Sequence, residues 1–120
     1  MKILVVDDSK AMRMIVRRTL RQAGFGDHAV SEASNGKEAI EAVREAKPDI
    51  ILSDWNMPEM SGIELLDLLN TEGIKVQFGF VTTERTPEMR LRAANAGAAF
   101  MIVKPFTPDD FKNVLSPILG

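Results

Sequence analysis

The sequence predicts an α/β domain in which a parallel sheet of five strands is covered by helices on both faces. Two observations support this prediction. The segments Ile3–Val6 and Ile50–Leu52 are continuous apolar runs without alternation, which is typical of central strands buried on both faces. A helical pattern follows each strand-like segment, so strands and helices alternate along the chain. Right-handed crossovers then place the strands side by side and parallel.

The composition is that of an acidic globular domain. With 120 residues, 45% of them hydrophobic, and a formal net charge of -2, the chain is expected to form one domain over residues 1–120 without general affinity for nucleic acid. The absence of cysteine excludes a disulfide, a zinc–thiolate site and a cysteine nucleophile. Only four apolar residues separate Lys2 from Asp7, which predicts neither a signal peptide nor a membrane span. We therefore expect a cytoplasmic protein.

The first strand, Ile3–Val6, ends on Asp7-Asp8. After it, apolar residues recur three and four positions apart, which predicts a helix that ends before the glycines at 24 and 26. Its inward positions are Met12, Ile15, Val16, Thr19, Leu20 and Ala23. The opposite face carries a stripe of Arg13, Arg17 and Arg21. Such a stripe is either a solvated helix face or a surface that receives an acidic partner.

The segment Ala29–Ala33 alternates weakly, as an outer strand does. Asn35, followed three residues later by Glu38, predicts the start of a second helix. Its inward positions are Ala39, Ile40 and Val43, and Lys47-Pro48-Asp49 ends it.

The third strand begins at Ile50 and ends abruptly on Asp54. Pro58 biases Met57 away from the helical region, so residues 54–57 are expected to form an irregular turn. This turn lies at the carboxyl edge of the sheet, where open α/β sheets bind their ligands.

The second half of the chain repeats the alternation. Helix starts are predicted at a capping box of Ser61 and Glu64, at Thr86-Pro87 and at Thr107-Pro108. Strands are predicted at Val76–Val81 and Phe100–Val103. Gly73 and Gly97 end the third and fourth helices, and Pro117 is expected to shorten or bend the fifth.

Polar residues stand where the central strands end, namely Asp7, Asp8, Asp54, Thr82 and Lys104. In a parallel sheet all of them meet at one edge. Bringing carboxylates to about 4 Å of one another costs roughly 4 kcal/mol per pair at an effective dielectric constant of 20, so a cation is expected among them. Oxygen ligands without histidine or cysteine favour Mg²⁺. A metal, a carboxylate nucleophile, an ammonium and a hydroxyl are together the groups that in-line phosphoryl transfer requires.

Four motifs carry a resemblance to a known family. They are Val5-Val6-Asp7-Asp8, Ser53-Asp54-Trp55-Asn56-Met57-Pro58, Val81-Thr82-Thr83-Glu84 and Val103-Lys104-Pro105-Phe106. Together they resemble the receiver domains of response regulators, and most of all the single-domain chemotaxis receivers of the CheY type. The resemblance covers essentially the whole chain. It implies a doubly wound, flavodoxin-like (βα)5 fold with the strand order 2-1-3-4-5.

The resemblance also implies a role for each residue that matches the family's motifs. Asp54 would be the phosphoacceptor, Lys104 would contact the phosphoryl oxygens, and Thr82 would hydrogen-bond one of them. The direct ligands of Mg²⁺, for which Mn²⁺ is expected to substitute, would be Asp8, Asp54 and the backbone carbonyl of Asn56. Asp7 would act through a metal-bound water. The Lys104-Pro105 peptide bond would be cis.

Regulatory roles and partners follow from the same resemblance. The positions that tune the phosphorylated state or its switching would be Asn56, Thr83, Glu84 and Met101. The phosphodonor would be a histidine kinase or a histidine phosphotransfer protein. An unidentified output protein would bind the face formed by the fourth helix, fifth strand and fifth helix, and the chain is expected to be a monomer that catalyses only its own phosphorylation and dephosphorylation.

Two positions depart from the family pattern. Met101 stands where many receivers carry a switching tyrosine or phenylalanine, three residues before the lysine. The fourth helix begins Thr86-Pro87, where receivers that bind the flagellar motor typically carry lysines. The departures leave the phosphorylation chemistry intact and make the flagellar switch a doubtful partner.

Other functions remain open at this stage. A Mg²⁺-dependent phosphohydrolase also uses an aspartate after a strand, but usually needs a second aspartate where Asn56 stands, and a substrate-covering cap. A pseudo-receiver that is never phosphorylated would be expected to have lost Asp8, Asp54, Thr82 or Lys104. A nucleotide-binding module is disfavoured because Asp7-Asp8-Ser9-Lys10 replaces a glycine-rich turn after the first strand.

Overall fold

The five strands form one parallel sheet. The structure, a computed structural model, describes residues 1–119. The strands are β1 (Lys2–Val6), β2 (Ala29–Ala33), β3 (Ile50–Ser53), β4 (Gln77–Thr82) and β5 (Phe100–Val103). Their order is β2-β1-β3-β4-β5, and each neighbouring pair is parallel. The predicted doubly wound fold and its strand order are therefore confirmed.

A helix follows every strand. The helices are α1 (Lys10–Gln22), α2 (Gly36–Glu45), α3 (Gly62–Thr71), α4 (Pro87–Asn95) and α5 (Pro108–Leu119). The side chains of Asn35, Ser61 and Thr86 each accept a hydrogen bond from the backbone N–H three residues later, so these three predicted caps are confirmed. Ser9 caps α1 in the same way, which is why that helix begins before its apolar pattern does.

At the starts of α2 and α3, a glutamate carboxylate makes a contribution to stability that depends on its charge. The backbone N–H of Ser61 donates to Glu64 and lowers the pKa of that carboxyl group, and the backbone N–H of Ser34 does the same for Glu38. Because both pKa values lie lower in the folded chain, their stabilising effect is present above the ordinary carboxyl pKa and is lost as the pH falls through the folded value. Acid should accordingly weaken the starts of α2 and α3 once these two carboxyl groups are protonated.

The sheet has a core on each face. Alternate residues of a strand point to opposite faces, so Leu4 and Val6 pack with α2 and α3, whereas Ile3 and Val5 pack with α1 and α5. On the α2 and α3 side the buried residues include all predicted inward positions, which are Ala39, Ile40, Val43, Ile63, Leu66 and Leu69. The two cores leave the carboxyl edge of the sheet free for the loops that follow the strands.

The structure differs from the sequence prediction in two helices. Ile15 was predicted to face inward, but it is 36% exposed, since Val16, Thr19 and Leu20 fill the buried stripe of α1. Of the two effects predicted for Pro117, a shortened or a bent helix, the first is wrong, because α5 continues to Leu119. Pro117 lies in the last turn, and the burial of Leu115 and Leu119 on the sheet outweighs the one backbone hydrogen bond that a proline removes there. Among residues 1–119, no helix has the length and apolar character needed to cross a bilayer.

Gly79 in β4 lies directly beneath an aromatic ring. It is paired in register with Phe100 of β5, and a Cβ atom placed on Gly79 would lie 2.1 Å from the Phe100 ring. Because Gly79 is buried in a central strand, the ring rather than the backbone would have to move. We expect Gly79→Ala to lower the free energy of unfolding by about 2–3 kcal/mol, as overpacking does.

Urea unfolding followed by Trp55 fluorescence measures this change. In a Phe100→Ala background the same glycine substitution should cost much less, because the ring that it meets is gone. An equal cost in both backgrounds would show that the ring is not the obstacle.

Candidate functional site

The backbone hydrogen bonds of the sheet continue one residue beyond the strands. The N–H of Asp7 donates to the Ala33 carbonyl at 3.1 Å, and the N–H of Asp54 donates to the Val6 carbonyl at 2.9 Å. The N–H of Lys104 donates to the Thr82 carbonyl, also at 2.9 Å. The ladder itself therefore places these three residues at the carboxyl edge of the sheet.

Three carboxylates converge at this edge. One oxygen from each of Asp7, Asp8 and Asp54 lies within 4.8 Å of the other two. Asp7 is buried, Asp54 is half-buried and Asp8 is exposed, so the cluster is open to solvent on one side. A donor set made only of carboxylate oxygens suits a hard divalent cation. The cluster is thus compatible with the metal site that the sequence predicts.

Lys104 lies against two of these carboxylates. Its Nζ atom is 3.1 Å from Oδ2 of Asp7 and 3.3 Å from Oδ2 of Asp54, and its side chain is only 13% exposed. One ammonium among three carboxylates leaves an excess of negative charge. A bound cation would relieve that excess, and an incoming anion would meet the lysine.

Backbone donors orient the same carboxylates. The N–H of Ser9 donates to Oδ1 of Asp7 at 2.9 Å, and the N–H of Trp55 donates to Oδ1 of Asp54 at 2.7 Å. Asp54 therefore has one oxygen held by its own turn and the other directed at Lys104. This arrangement presents the carboxylate in a single orientation.

The turn after Asp54 is closely packed against the start of α3. The N–H of Gly62 donates to the Trp55 carbonyl at 2.8 Å, and a Cβ atom on Gly62 would lie 2.1 Å from the Asp54 carbonyl oxygen. Within the turn, Glu59 has a φ of 68°, in the left-handed region that favours glycine. In the sequence, Gly62 stands inside the predicted capping box, between Ser61 and Glu64. Its second role, close approach to Asp54, has no signal in local periodicity.

Thr82 and the residues after it form the neighbouring wall. Thr82 is fully buried, and its hydroxyl oxygen accepts a hydrogen bond from the Glu84 N–H at 3.2 Å. Thr83 is exposed. The Asn56 side chain donates to Oε1 of Glu84 at 2.6 Å, and this contact was not predicted. A signal for it exists, because Asn56 stands three positions after the end of β3 and Glu84 stands two positions after the end of the adjacent strand β4.

Met101 lies on β5, away from the acidic cluster. It is half-buried and lines two clefts, one of about 200 Å³ against α4 and one of about 310 Å³ against α5. The Lys104-Pro105 peptide bond that follows this strand is cis, as predicted.

Comparison with known families shows the family to which the chain belongs. The family model of the response regulator receiver domain matches residues 3–116. The chain belongs to this family. As a receiver domain it is a regulatory protein rather than a classical enzyme, and it interacts with a kinase or phosphotransfer protein and with an output target.

Its relatives include chemotaxis proteins, and the match covers more than nine-tenths of their length. The chain is 40% identical to the chemotaxis protein CheY1 of Helicobacter pylori, over 100% of this chain and 98% of the relative. It is 41% identical to the CheY homolog of Campylobacter jejuni, over 100% and 93%. The solved structure of the chemotaxis protein CheY4 of Vibrio cholerae superposes with a TM-score of 0.85 at 35% identity, covering 98% of each chain. These proteins are receivers of the type that the motifs predicted.

Proposed function

We propose that this receiver is a Mg²⁺-dependent phosphoacceptor switch in which Asp54 takes a phosphoryl group from a histidine kinase or a histidine phosphotransfer protein. The observation that supports this most strongly is the environment of Asp54. Its half-buried carboxylate lies beside two further carboxylates and within 3.3 Å of the Lys104 ammonium. A carboxylate nucleophile, a cation site and a positive charge for the phosphoryl oxygens are thereby brought together.

Each residue of the site has a chemical task in this proposal. A carboxylate oxygen of Asp54 attacks the phosphorus in line as the bond between phosphorus and the donor nitrogen breaks. The Lys104 ammonium and the Thr82 hydroxyl bind phosphoryl oxygens, for which the lysine leaves its present contacts with Asp7 and Asp54. Asp8, Asp54 and the backbone carbonyl of Asn56 would hold Mg²⁺ or Mn²⁺, with Asp7 orienting a water. When bound, the metal supplies the positive charge that neutralises the transferring oxygens.

The contact between Asn56 and Glu84 supports their proposed tuning role. Their hydrogen bond joins the turn that follows Asp54 to the turn that follows Thr82. Water that attacks the phosphorylated aspartate would have to approach past these turns. The lifetime of the phosphorylated state should therefore depend on this pair and on the exposed Thr83 beside it.

Labelling of the wild-type protein with acetyl phosphate and Mg²⁺ tests the proposal. We expect one phosphoryl group per chain, located on Asp54 by mass spectrometry. A phosphoryl group on Ser53 or Thr82 would contradict the assignment, and repeated turnover of small phosphate esters would favour the phosphohydrolase. A protein that binds Mg²⁺ but is never labelled would be a pseudo-receiver.

The relatives make chemotaxis the first pathway in which to seek the partners. The relatives from Helicobacter pylori and Campylobacter jejuni are both named chemotaxis proteins, and their sequence identities to this chain are nearly equal. Because α4 begins with Thr86-Pro87 instead of lysines, we do not propose the flagellar switch as the output target. A cytoplasmic location, a monomeric state and a single domain over residues 1–120 remain predictions.

The clefts around Met101 support the proposed output face of α4, β5 and α5. Phosphoryl binding is expected to pull the Thr82 hydroxyl inward and to vacate space behind it. The thin, unbranched side chain of Met101 can move into that space with little barrier, but it fills the space less completely than an aromatic ring would. We expect Met101→Ala to leave the rate of Asp54 phosphorylation nearly unchanged. The gain in partner affinity on phosphorylation should fall by about fivefold, which corresponds to roughly 1 kcal/mol of lost packing.

Calorimetry measures the gain in partner affinity. The partner is one captured by a pull-down in the presence of beryllofluoride, which mimics the phosphoryl group. Wild type and variant are compared with and without beryllofluoride, so that changes in basal affinity are separated from changes in switching. An unchanged gain in Met101→Ala would mean that the signal leaves the domain by another route.

A further inference from the structure

We propose that Arg13 is a positioning residue for the acidic cluster. It holds the loop that carries Asp7 and Asp8 in the geometry that a divalent cation requires, and Glu32 on β2 holds Arg13 in turn. This inference rests on the proposed function, because it concerns Mg²⁺ binding at that cluster. We call Arg13 and Glu32 the brace.

The brace connects the loop after β1 with the strand beside it. Nη1 of Arg13 donates to the backbone carbonyl of Asp7 at 2.6 Å, while its Nε donates to Oε1 of Glu32 at 2.8 Å. The Arg13 side chain is only 14% exposed. A guanidinium presents its donors in a rigid plane, so two hydrogen bonds in different directions hold it in one orientation.

The Asp7 carbonyl needs a donor from outside the sheet. The N–H of Asp7 makes the last bond of the ladder with β2, to Ala33, and β2 ends at that residue. The carbonyl of Asp7 lies beyond that end, in a residue that is only 4% exposed. A buried carbonyl without a partner is costly, and Arg13 is the donor that the structure provides.

Asp8 depends most on this contact. Asp7 and Asp54 have donors of their own in Ser9, Trp55 and Lys104. Within residues 1–119, the exposed Asp8 carboxylate has no hydrogen bond, so its direction is set by the backbone. The peptide group between Asp7 and Asp8 is planar, and Arg13 binds its oxygen. Holding that oxygen therefore orients the Cα atom from which the Asp8 carboxylate projects.

Charge and position make opposite predictions for this arginine. If Arg13 acted only as a positive charge near three carboxylates, its removal would tighten Mg²⁺ binding. If it positions the loop, its removal weakens binding. The pairing with Glu32 offsets part of the charge of Arg13, because Arg17 shares that carboxylate at 3.2 Å and also donates to the Val30 carbonyl at 3.0 Å. The predicted arginine stripe is thus largely engaged within the chain, and its effect on the cluster is geometric.

Titration with Mg²⁺ alone, followed by Trp55 fluorescence and by calorimetry, tests the proposal. We expect Arg13→Met to raise the dissociation constant for Mg²⁺ about tenfold, as loss of a residue that supports metal ligands typically does. Arg13→Lys should fall between wild type and Arg13→Met, because an ammonium lacks the planar fork that serves both acceptors. Glu32→Gln should shift the constant in the same direction by a smaller factor. Arg18→Met, on the exposed face of the same helix, is the matched control and should bind Mg²⁺ as wild type does.

A second readout separates positioning from stability. Acetyl phosphate labelling of Arg13→Met should need about tenfold more Mg²⁺ for half-maximal rate, with the rate at saturating Mg²⁺ retained. Urea unfolding without metal reports any loss of stability. An Arg13→Met protein with reduced stability but an unchanged or lower dissociation constant would overturn the proposal.

The design keeps two failures apart. Absence of Mg²⁺ binding by wild type would refute the proposed function together with this inference, whereas binding that is equal in wild type and Arg13→Met refutes only the inference. Should Arg13→Met not fold, Arg13→Lys decides alone, since it keeps the positive charge and removes the planar fork that serves both acceptors. A wild-type dissociation constant in that variant would then refute the role of the brace.

Discussion

Asp54→Asn should reduce labelling by acetyl phosphate roughly a thousandfold or more, to the background level. An amide has no anionic oxygen to attack phosphorus, although it has nearly the same shape as the carboxylate. Its oxygen can still accept the Trp55 N–H, which lies 2.7 Å from Oδ1 in the wild type. The Lys104 ammonium loses one of its two acceptors but keeps Asp7 at 3.1 Å. The change therefore removes the nucleophile while the fold is retained.

Intact-mass measurement of the protein after labelling provides the test, and Asp27→Asn is the matched control. Asp27 is an exposed aspartate in the turn before β2, distant from the acidic cluster, and its substitution makes the same change in charge. The control should be labelled as wild type is. Substantial labelling of Asp54→Asn would place the acceptor elsewhere and remove the central assignment.

The sequence was sufficient for the fold and for most of the site because both depend on local patterns. Continuous apolar runs identified the central strands, and capping residues such as Asn35 and Ser61 located the helix starts. In a parallel sheet the residue after each strand must lie at the carboxyl edge. The convergence of Asp7, Asp54 and Lys104 therefore followed from topology before any distance was known.

The missing parts are contacts between segments that are distant in the chain. Arg13 and Glu32 are 19 residues apart, and Asn56 and Glu84 are 28 apart. Such pairs depend on strand register and on side-chain rotamers, which periodicity does not report. Ile15 shows the complementary error, because a helical pattern gives the centre of a buried stripe better than its margin. The continuation of α5 past Pro117 was missed because burial of Leu119 is a tertiary effect that overrides local preference.

Lys104→Ala should separate metal binding from phosphoryl recognition. The ammonium lies between Oδ2 of Asp7 and Oδ2 of Asp54, so it competes with a divalent cation for the negative charge of these two carboxylates. Removing it should tighten Mg²⁺ binding by about fivefold, which corresponds to roughly 1 kcal/mol for one charge at a partly exposed site. The same variant should lose the phosphorylation-dependent gain in partner affinity, since no cation then draws the phosphoryl oxygens towards β5. We expect this loss to be nearly complete.

Two measurements on wild type and Lys104→Ala test these two expectations. Trp55 fluorescence gives the dissociation constant for Mg²⁺, and calorimetry with the output partner, with and without beryllofluoride, gives the gain. Lys112→Ala, which removes an exposed lysine from α5, controls for the overall change in charge and should leave the Mg²⁺ constant unchanged. Metal affinity that fell strongly in Lys104→Ala would show that the lysine chiefly holds the two aspartates in place. A variant that kept its full gain in partner affinity would show that phosphoryl recognition reaches the output face without Lys104, by way of the Thr82 hydroxyl and Met101.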